Sequence, residues 1–253
     1  MKNVLNYNTW LFESEEERND FYKEELNTSF WEDNKFDPNI RKKLLTIADD
    51  FYSALKFTAK IQDIQLTGSL ANYNWTDKSD LDVHVLVDFE EIDDNIELVR
   101  RAVDGARFIW NLRHNLKIKG FDVELYVQDI NDLHTASGLF SLLNNKWIRI
   151  PKYNPPEIDY KDVDKKFQGL VSDILNVENI TSTSNFSNVS PEEIYTLAVK
   201  LKKKILEMRK EGLSRSGEFS VENLVFKKLR NEGYIEKIIE LISKSYTNIY
   251  NEQ

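Results

Sequence analysis

At 253 residues, with 41% hydrophobic and 12% aromatic residues, the chain can build one large domain or two modest ones, which excludes general disorder. Its net charge of −9 is uneven: residues 1–130 carry 16 Lys/Arg against 26 Asp/Glu, and residues 191–253 carry 12 against 10. The front half is therefore no broad nucleic-acid footprint, although a local basic patch is compatible with it. The chain has no cysteine, which removes disulfides, thiolate metal sites and a Cys nucleophile. Met1 to Leu11 is too polar for a signal peptide, and no apolar run has membrane-spanning length. A soluble, cytoplasmic protein with no membrane partner is expected.

Residues 1–37 mix aromatics (Tyr7, Trp10, Phe12, Phe21, Tyr22, Phe30, Trp31) with acids, and are expected to wrap onto the following domain as an N-terminal arm. Within them, Ser14 to Leu26 reads as a short helix, with Glu17 three residues after Ser14. In residues 38–60, Ile40, Leu44, Ile47, Phe51 and Leu55 recur at helical intervals. A strand over Ile61 to Leu66 follows.

The next stretch, Leu66 to Val87, organises the chain. Gly68 permits unusual φ/ψ and close backbone approach, and Ser69 adds a hydroxyl and an N–H, of the kind that cradles phosphate oxygens in such turns. Asp80 and Asp82 then alternate with Leu81 and Val83, so a strand here sends both carboxylates from one face. Two like charges side by side are costly, because each raises the other's pKa and both lose hydration. A divalent cation offsets that cost. Hard carboxylate oxygens suit Mg²⁺, which takes one or two protein carboxylates and completes its shell with water and substrate phosphates. The bland alternative is a pair of strand-end aspartates that cap loops or pair with arginines. His84 shares their face and reads as a hydrogen-bonded strand histidine, and Ser79 as a residue that fixes the turn into Asp80.

Helix Asn95 to Leu116 is expected to bury Ile96, Val99, Val103, Phe108 and Leu112, and it also carries Arg100, Arg101, Arg107 and Arg113. Phe121 to Val127 is a good strand, rich in β-branched and aromatic residues. On it Glu124 lies between apolar neighbours, and Asp122 shares its face. Beyond Asp129 the runs Leu139 to Leu143 and Trp147 to Ile150 flank Asn144-Asn145, a hairpin signal. A helix over Asp159 to Val177 and a polar linker, Thr181 to Ser190, follow. Ser190-Pro191-Glu192-Glu193 opens a helix expected to run to about Lys210. Residues Phe219 to Ile242 read as two more helices broken near Gly233. Gly217 to Asn223 is dense in polar groups and reads as a helix start capped by Ser220.

Leu66-Thr67-Gly68-Ser69, ten intervening residues, and Asp80-Leu81-Asp82-Val83 resemble the signature of the polymerase-β-type nucleotidyltransferase superfamily. The likeness covers roughly residues 40 to 130. It implies an α/β (α+β) fold: a nucleotidyltransferase core with a mixed sheet at residues 38–158, then a helical domain at 159–253. It implies transfer of an NMP from an NTP to an acceptor hydroxyl, on RNA or a small molecule, with two Mg²⁺ ions. Asp80, Asp82 and a later carboxylate would hold the metals. Glu124 is the choice for that third ligand, with Asp122 in reserve. Gly68, Ser69 and Ser79 would serve the nucleotide, as would Lys203 and Lys204 on the basic helix. The alternative expectation is a catalytically silent nucleotide-binding regulator, or a toxin–antitoxin component, with the same fold.

Overall fold

The computed structural model describes residues 22–132, 136–154, 157–182 and 189–251. The chain divides into two compact units, Met1–Pro155 and Pro156–Gln253. The first combines a mixed six-stranded sheet with helices, and the second is helical, so the chain is α+β.

In the first unit a small hairpin, β1 (Trp31–Glu32) and β2 (Lys35–Phe36), turns through Asp33 and Asn34, both at positive φ. Helix α1 (Pro38–Leu55) starts where the Asp37 side chain accepts from the N–H groups of Asn39 and Ile40, with proline in the first turn. It buries Ile40, Leu44, Ala48, Phe51 and Tyr52. The sheet comprises β3 (Asp63–Thr67), β4 (Leu81–Val87), β5 (Lys117–Ile118), β6 (Phe121–Asp129), β7 (Leu139–Ser141) and β8 (Lys146–Arg149). Their order is β5-β6-β4-β3-β7-β8, in which β4 and β6 are parallel and the other pairs antiparallel. A parallel pair needs a crossover, and α2 (Ile96–Arg113) lies in it.

Alternation then sorts the side chains. Ile64, Leu66, Leu81, Val83, Val85, Val123 and Leu125 join the core with Leu44, Ala48 and Phe51 of α1. The same register puts Gln65, Thr67, Asp82, His84, Glu124 and Tyr126 on the opposite face. One face of this sheet holds the fold together, and the other carries the polar chemistry.

Two expectations about the first unit are corrected. Helix α2 buries Val99 and Val103, whereas Phe108 and Leu112 are 65% and 74% exposed. The helix is anchored by Asn111, whose carboxamide accepts from the Leu125 N–H (3.2 Å) and donates to its C=O (3.1 Å). With Asn111 at the edge of β6, Trp110 faces inward, 5.5 Å from Phe51, and Phe108 and Leu112, which lie on the other side of Asn111 around the helix, face outward. The second correction concerns the helix read over Ser14 to Leu26, because residues 22–26 are not helical. They run as a strap: the Lys23 N–H donates to the Tyr73 carbonyl and the Leu26 side chain is buried. Residues 14–21 of that expected helix, and the arm aromatics Tyr7, Trp10, Phe12 and Phe21, lie outside the described residues. The described part of the arm packs on the sheet unit, with the Trp31 indole donating to the Leu70 carbonyl (2.7 Å) and stacking on Trp147.

The second unit contains α3 (Tyr160–Ser182), α4 (Pro191–Ser216), α5 (Val221–Asn231) and α6 (Tyr234–Tyr250). Helix α4 opens with a complete capping box between Ser190 and Glu193. It continues past Lys210, contrary to expectation, because Gly212 is a packing glycine inside the helix. A Cβ there would lie 2.6 Å from the Cβ of Glu222, so the missing side chain lets the start of α5 approach. Among the described residues no helix is long and apolar enough to cross a membrane.

Candidate functional site

The turn after β3 is built around a clash that only glycine avoids. Gly68 has φ +75° and ψ −162°, and a Cβ on it would lie 1.9 Å from Asp82 Oδ2. Such a conformation is essentially restricted to glycine. Residues Ser69–Ala71 continue as a single 3₁₀ turn. The Ser69 hydroxyl donates to Ser79 Oγ at 2.7 Å, and Ser79 Oγ also accepts from the Thr76 N–H at 2.9 Å. Ser79 is buried, so it ties the Gly-Ser turn to the loop that delivers Asp80. Gly138 supports the turn from the other side: a Cβ on it would lie 1.8 Å from the Ala71 carbonyl oxygen.

Register brings the carboxylates together. Asp82 is paired with Thr67 on β3 and with Glu124 on β6, so Thr67, Asp82 and Glu124 form one row across three strands. Adjacent strands lie about 4.8 Å apart, which makes Asp82 and Glu124 immediate neighbours on one face. Asp80 stands just before β4, half-buried. Asp122 has another occupation, an ion pair with Lys117 Nζ at 2.7 Å across the β5–β6 pairing. Among the described residues no three His, Cys, Asp or Glu side chains converge as a ready metal centre. The row offers an adjacent carboxylate pair with a third nearby in sequence. That donor set fits a hard cation that needs only one or two protein carboxylates.

One step along the strands lies a second row, Gln65, His84 and Tyr126. His84 Nδ1 is 2.8 Å from Gln128 Oε1, and its ring stacks on Tyr126 with centroids 4.6 Å apart and planes 11° apart. It is thus a hydrogen-bonded strand histidine. Tyr126 Oη donates to Glu124 Oε2 at 2.5 Å, and the Arg107 guanidinium lies 4.7 Å from the tyrosine ring centroid. Burial pushes the Tyr126 phenol far up; the charges of Asp82 and Glu124 add to this, and Arg107 opposes it. The phenol therefore remains a donor throughout the pH range of interest. Sequence reading missed Tyr126 and Gln128 as members of the site, although the alternation of β6 puts Glu124, Tyr126 and Gln128 on one face, and it read Arg107 as one of four arginines on a solvated helix face rather than as a partner of Tyr126.

The remaining cations divide clearly. Arg100 makes two 2.6 Å bonds to Asp132, and Arg101 pairs with Glu97. Of these three α2 arginines only Arg107 reaches the second row. Lys203 and Lys204 lie on α4 of the second unit, exposed, beside Glu207 (3.7 Å) and Asp173 (3.1 Å). In the same unit Ser220 caps α5, and Glu222 is held by Lys166 and Arg215, so Gly217 to Asn223 is a helix start.

Comparison with protein-family models, curated proteins and solved structures finds no match.

Proposed function

We propose that this protein is a Mg²⁺-dependent nucleotidyltransferase that moves an NMP from an NTP to an acceptor hydroxyl and releases pyrophosphate. The observation that carries this reading is the packing of Gly68 against the Asp82 carboxylate, with Glu124 in register beside it. A phosphate-binding type of turn and a carboxylate row thereby adjoin. Two Mg²⁺ ions bound by Asp80, Asp82 and Glu124 would supply charge stabilisation at the attacking and leaving oxygens. Ser69 and the amides around Gly68 hold the β- and γ-phosphates and orient the α-phosphorus. The acceptor oxygen bonds to that phosphorus, and the bond to the bridging β-oxygen breaks with its electron pair going to pyrophosphate. The hydroxyl proton passes to Glu124, or through it to water.

The acceptor class, RNA end or small molecule, is read out by the experiment itself. Each α-labelled NTP is incubated with Mg²⁺ and an extract containing RNA and small molecules, with wild type beside Asp80→Ala/Asp82→Ala. Label moving only with wild type supports the enzyme, and the labelled fraction names the acceptor. The rival reading, a nucleotide-binding regulator or toxin–antitoxin component without turnover, draws on the lack of three converging ligands among the described residues. It predicts Mg²⁺-dependent NTP binding with no transfer to any acceptor.

A further inference from the structure

The row next to the carboxylates is built with a rigidity that the sheet alone does not require. Tyr126 lies two residues beyond Glu124 on the same face of β6. His84 reaches it from β4 on one side. Arg107 reaches it from α2, the helix whose Asn111 engages the Leu125 N–H and C=O on the opposite edge of β6. His84 is itself fixed through Nδ1 to Gln128. The tyrosine ring is therefore wedged between an imidazole and a guanidinium, and pivoting it means breaking both contacts. A ring held this way aims its hydroxyl in one direction, at Glu124 Oε2.

We propose that Tyr126 is a positioning residue for Glu124: by engaging Oε2 it fixes the orientation in which the carboxylate presents its other oxygen beside Asp82. The inference rests on the metal-binding reading of Asp80, Asp82 and Glu124. A free glutamate has several rotamers, and holding one costs side-chain entropy that the wedged ring offsets before any ligand arrives. Partners of metal-binding carboxylates act in this way, and removing one typically lowers metal affinity 10–100-fold.

The test is Mn²⁺ binding by the full chain in the presence of a non-hydrolysable ATP analogue, with free Mn²⁺ read by electron paramagnetic resonance. It needs no acceptor and no turnover. Tyr126→Phe keeps the ring and its stack and deletes only the donor. It is expected to weaken Mn²⁺ binding about tenfold or more, with circular dichroism unchanged. Glu124→Gln is expected to weaken binding too, and Tyr126→Phe added to Glu124→Gln to weaken it no further. That non-additivity cancels any general loosening of the fold. Equal Mn²⁺ affinity in Tyr126→Phe and wild type, or a Tyr126→Phe effect of the same size in both backgrounds, overturns the positioning role. If wild type shows no Mn²⁺ binding that Asp82→Ala abolishes, the metal reading fails and takes this inference with it. Binding that Asp82→Ala abolishes and Tyr126→Phe leaves intact overturns the inference alone.

Discussion

Gly68 and the carboxylate of Asp82 share one small volume: a methyl group on the glycine would sit 1.9 Å from Asp82 Oδ2. No side chain can be added at Gly68 unless Asp82 moves. Gly68→Ala meets both this overlap and a backbone conformation that costs about 1–3 kcal/mol for any other residue. The expected result is a stability loss of that order in urea unfolding. Transfer activity should fall far more than the stability loss explains, because Asp82 must move. Nucleotide transfer at the wild-type rate would show that the contact is not part of the working site.

Glu124 and Asp122 share a face, and their surroundings assign them different work. Asp122 is paired with Lys117 and half-exposed, so Asp122→Asn removes an interaction worth about 1 kcal/mol or less. Transfer by Asp122→Asn should stay within a few-fold of wild type, while Glu124→Gln should lose about 100-fold or more, equivalent to about 2.7 kcal/mol of barrier. Side-by-side initial rates decide it. The reverse order would move the third ligand to Asp122.

The second unit carries an acid-sensitive contact. Burial works against the charge on Glu222, but Lys166 Nζ at 3.0 Å, Arg215 at 2.8 Å and the backbone outweigh it and hold its carboxyl down at about 2. An unfolded glutamate titrates about two units higher. The contact therefore stabilises the fold fully above the unfolded value and is lost as pH falls toward 2. Thermal melts from pH 7 to pH 3 should show the wild type losing stability more steeply than Glu222→Gln. At neutral pH the variant should be weaker by about 1.5–3 kcal/mol, the scale of charged hydrogen bonds.

An alkaline counterpart lies in the first unit. Tyr52 is buried and donates to the Ala59 carbonyl at 2.7 Å; burial, helped by the charge of Glu91, pushes its phenol up to about 12. The unfolded chain releases that proton near 10, so the folded state loses stability as pH rises between those values. Tyr52→Phe should be less stable than wild type at pH 8, and its stability should fall less steeply between pH 10 and 12. Parallel slopes for the two proteins would remove Tyr52 from the account.

Much of the fold was legible because its signals are local. The period of α1, the capping box of α4 and the asparagine turn between β7 and β8 each depend on a few neighbouring residues, and each formed. The outward turn of Phe108 and Leu112 was not legible. It goes with Asn111 meeting the backbone of Leu125, a contact between segments that no periodicity encodes. The end of α4 was misread because glycine is a helix breaker by propensity, whereas Gly212 is set by what lies against it. At the candidate site the types of residue were visible, with Gly68, Ser69, Asp80, Asp82 and Glu124 all in view. The pairing of Asp82 with Glu124 was not, since strand register is a tertiary fact. Ser79 gave a turn signal, and its bond to Ser69 shows which turn it serves.

The carboxamide of Asn111 has a consequence for how the molecule survives among its own copies. β5 pairs with the start of β6 at Phe121 and Asp122, and the Val123 N–H donates to the Leu116 carbonyl, so beyond that point the outer edge of β6 has no strand beside it among the described residues. Asn111 answers both the N–H and the C=O of Leu125 there, as a neighbouring strand would. Unpaired edges invite another chain to add a strand, the usual beginning of sheet-to-sheet aggregation. One side chain thus occupies the backbone groups of Leu125 at the outer margin of the strand that carries Glu124 and Tyr126, where an added strand would otherwise pair.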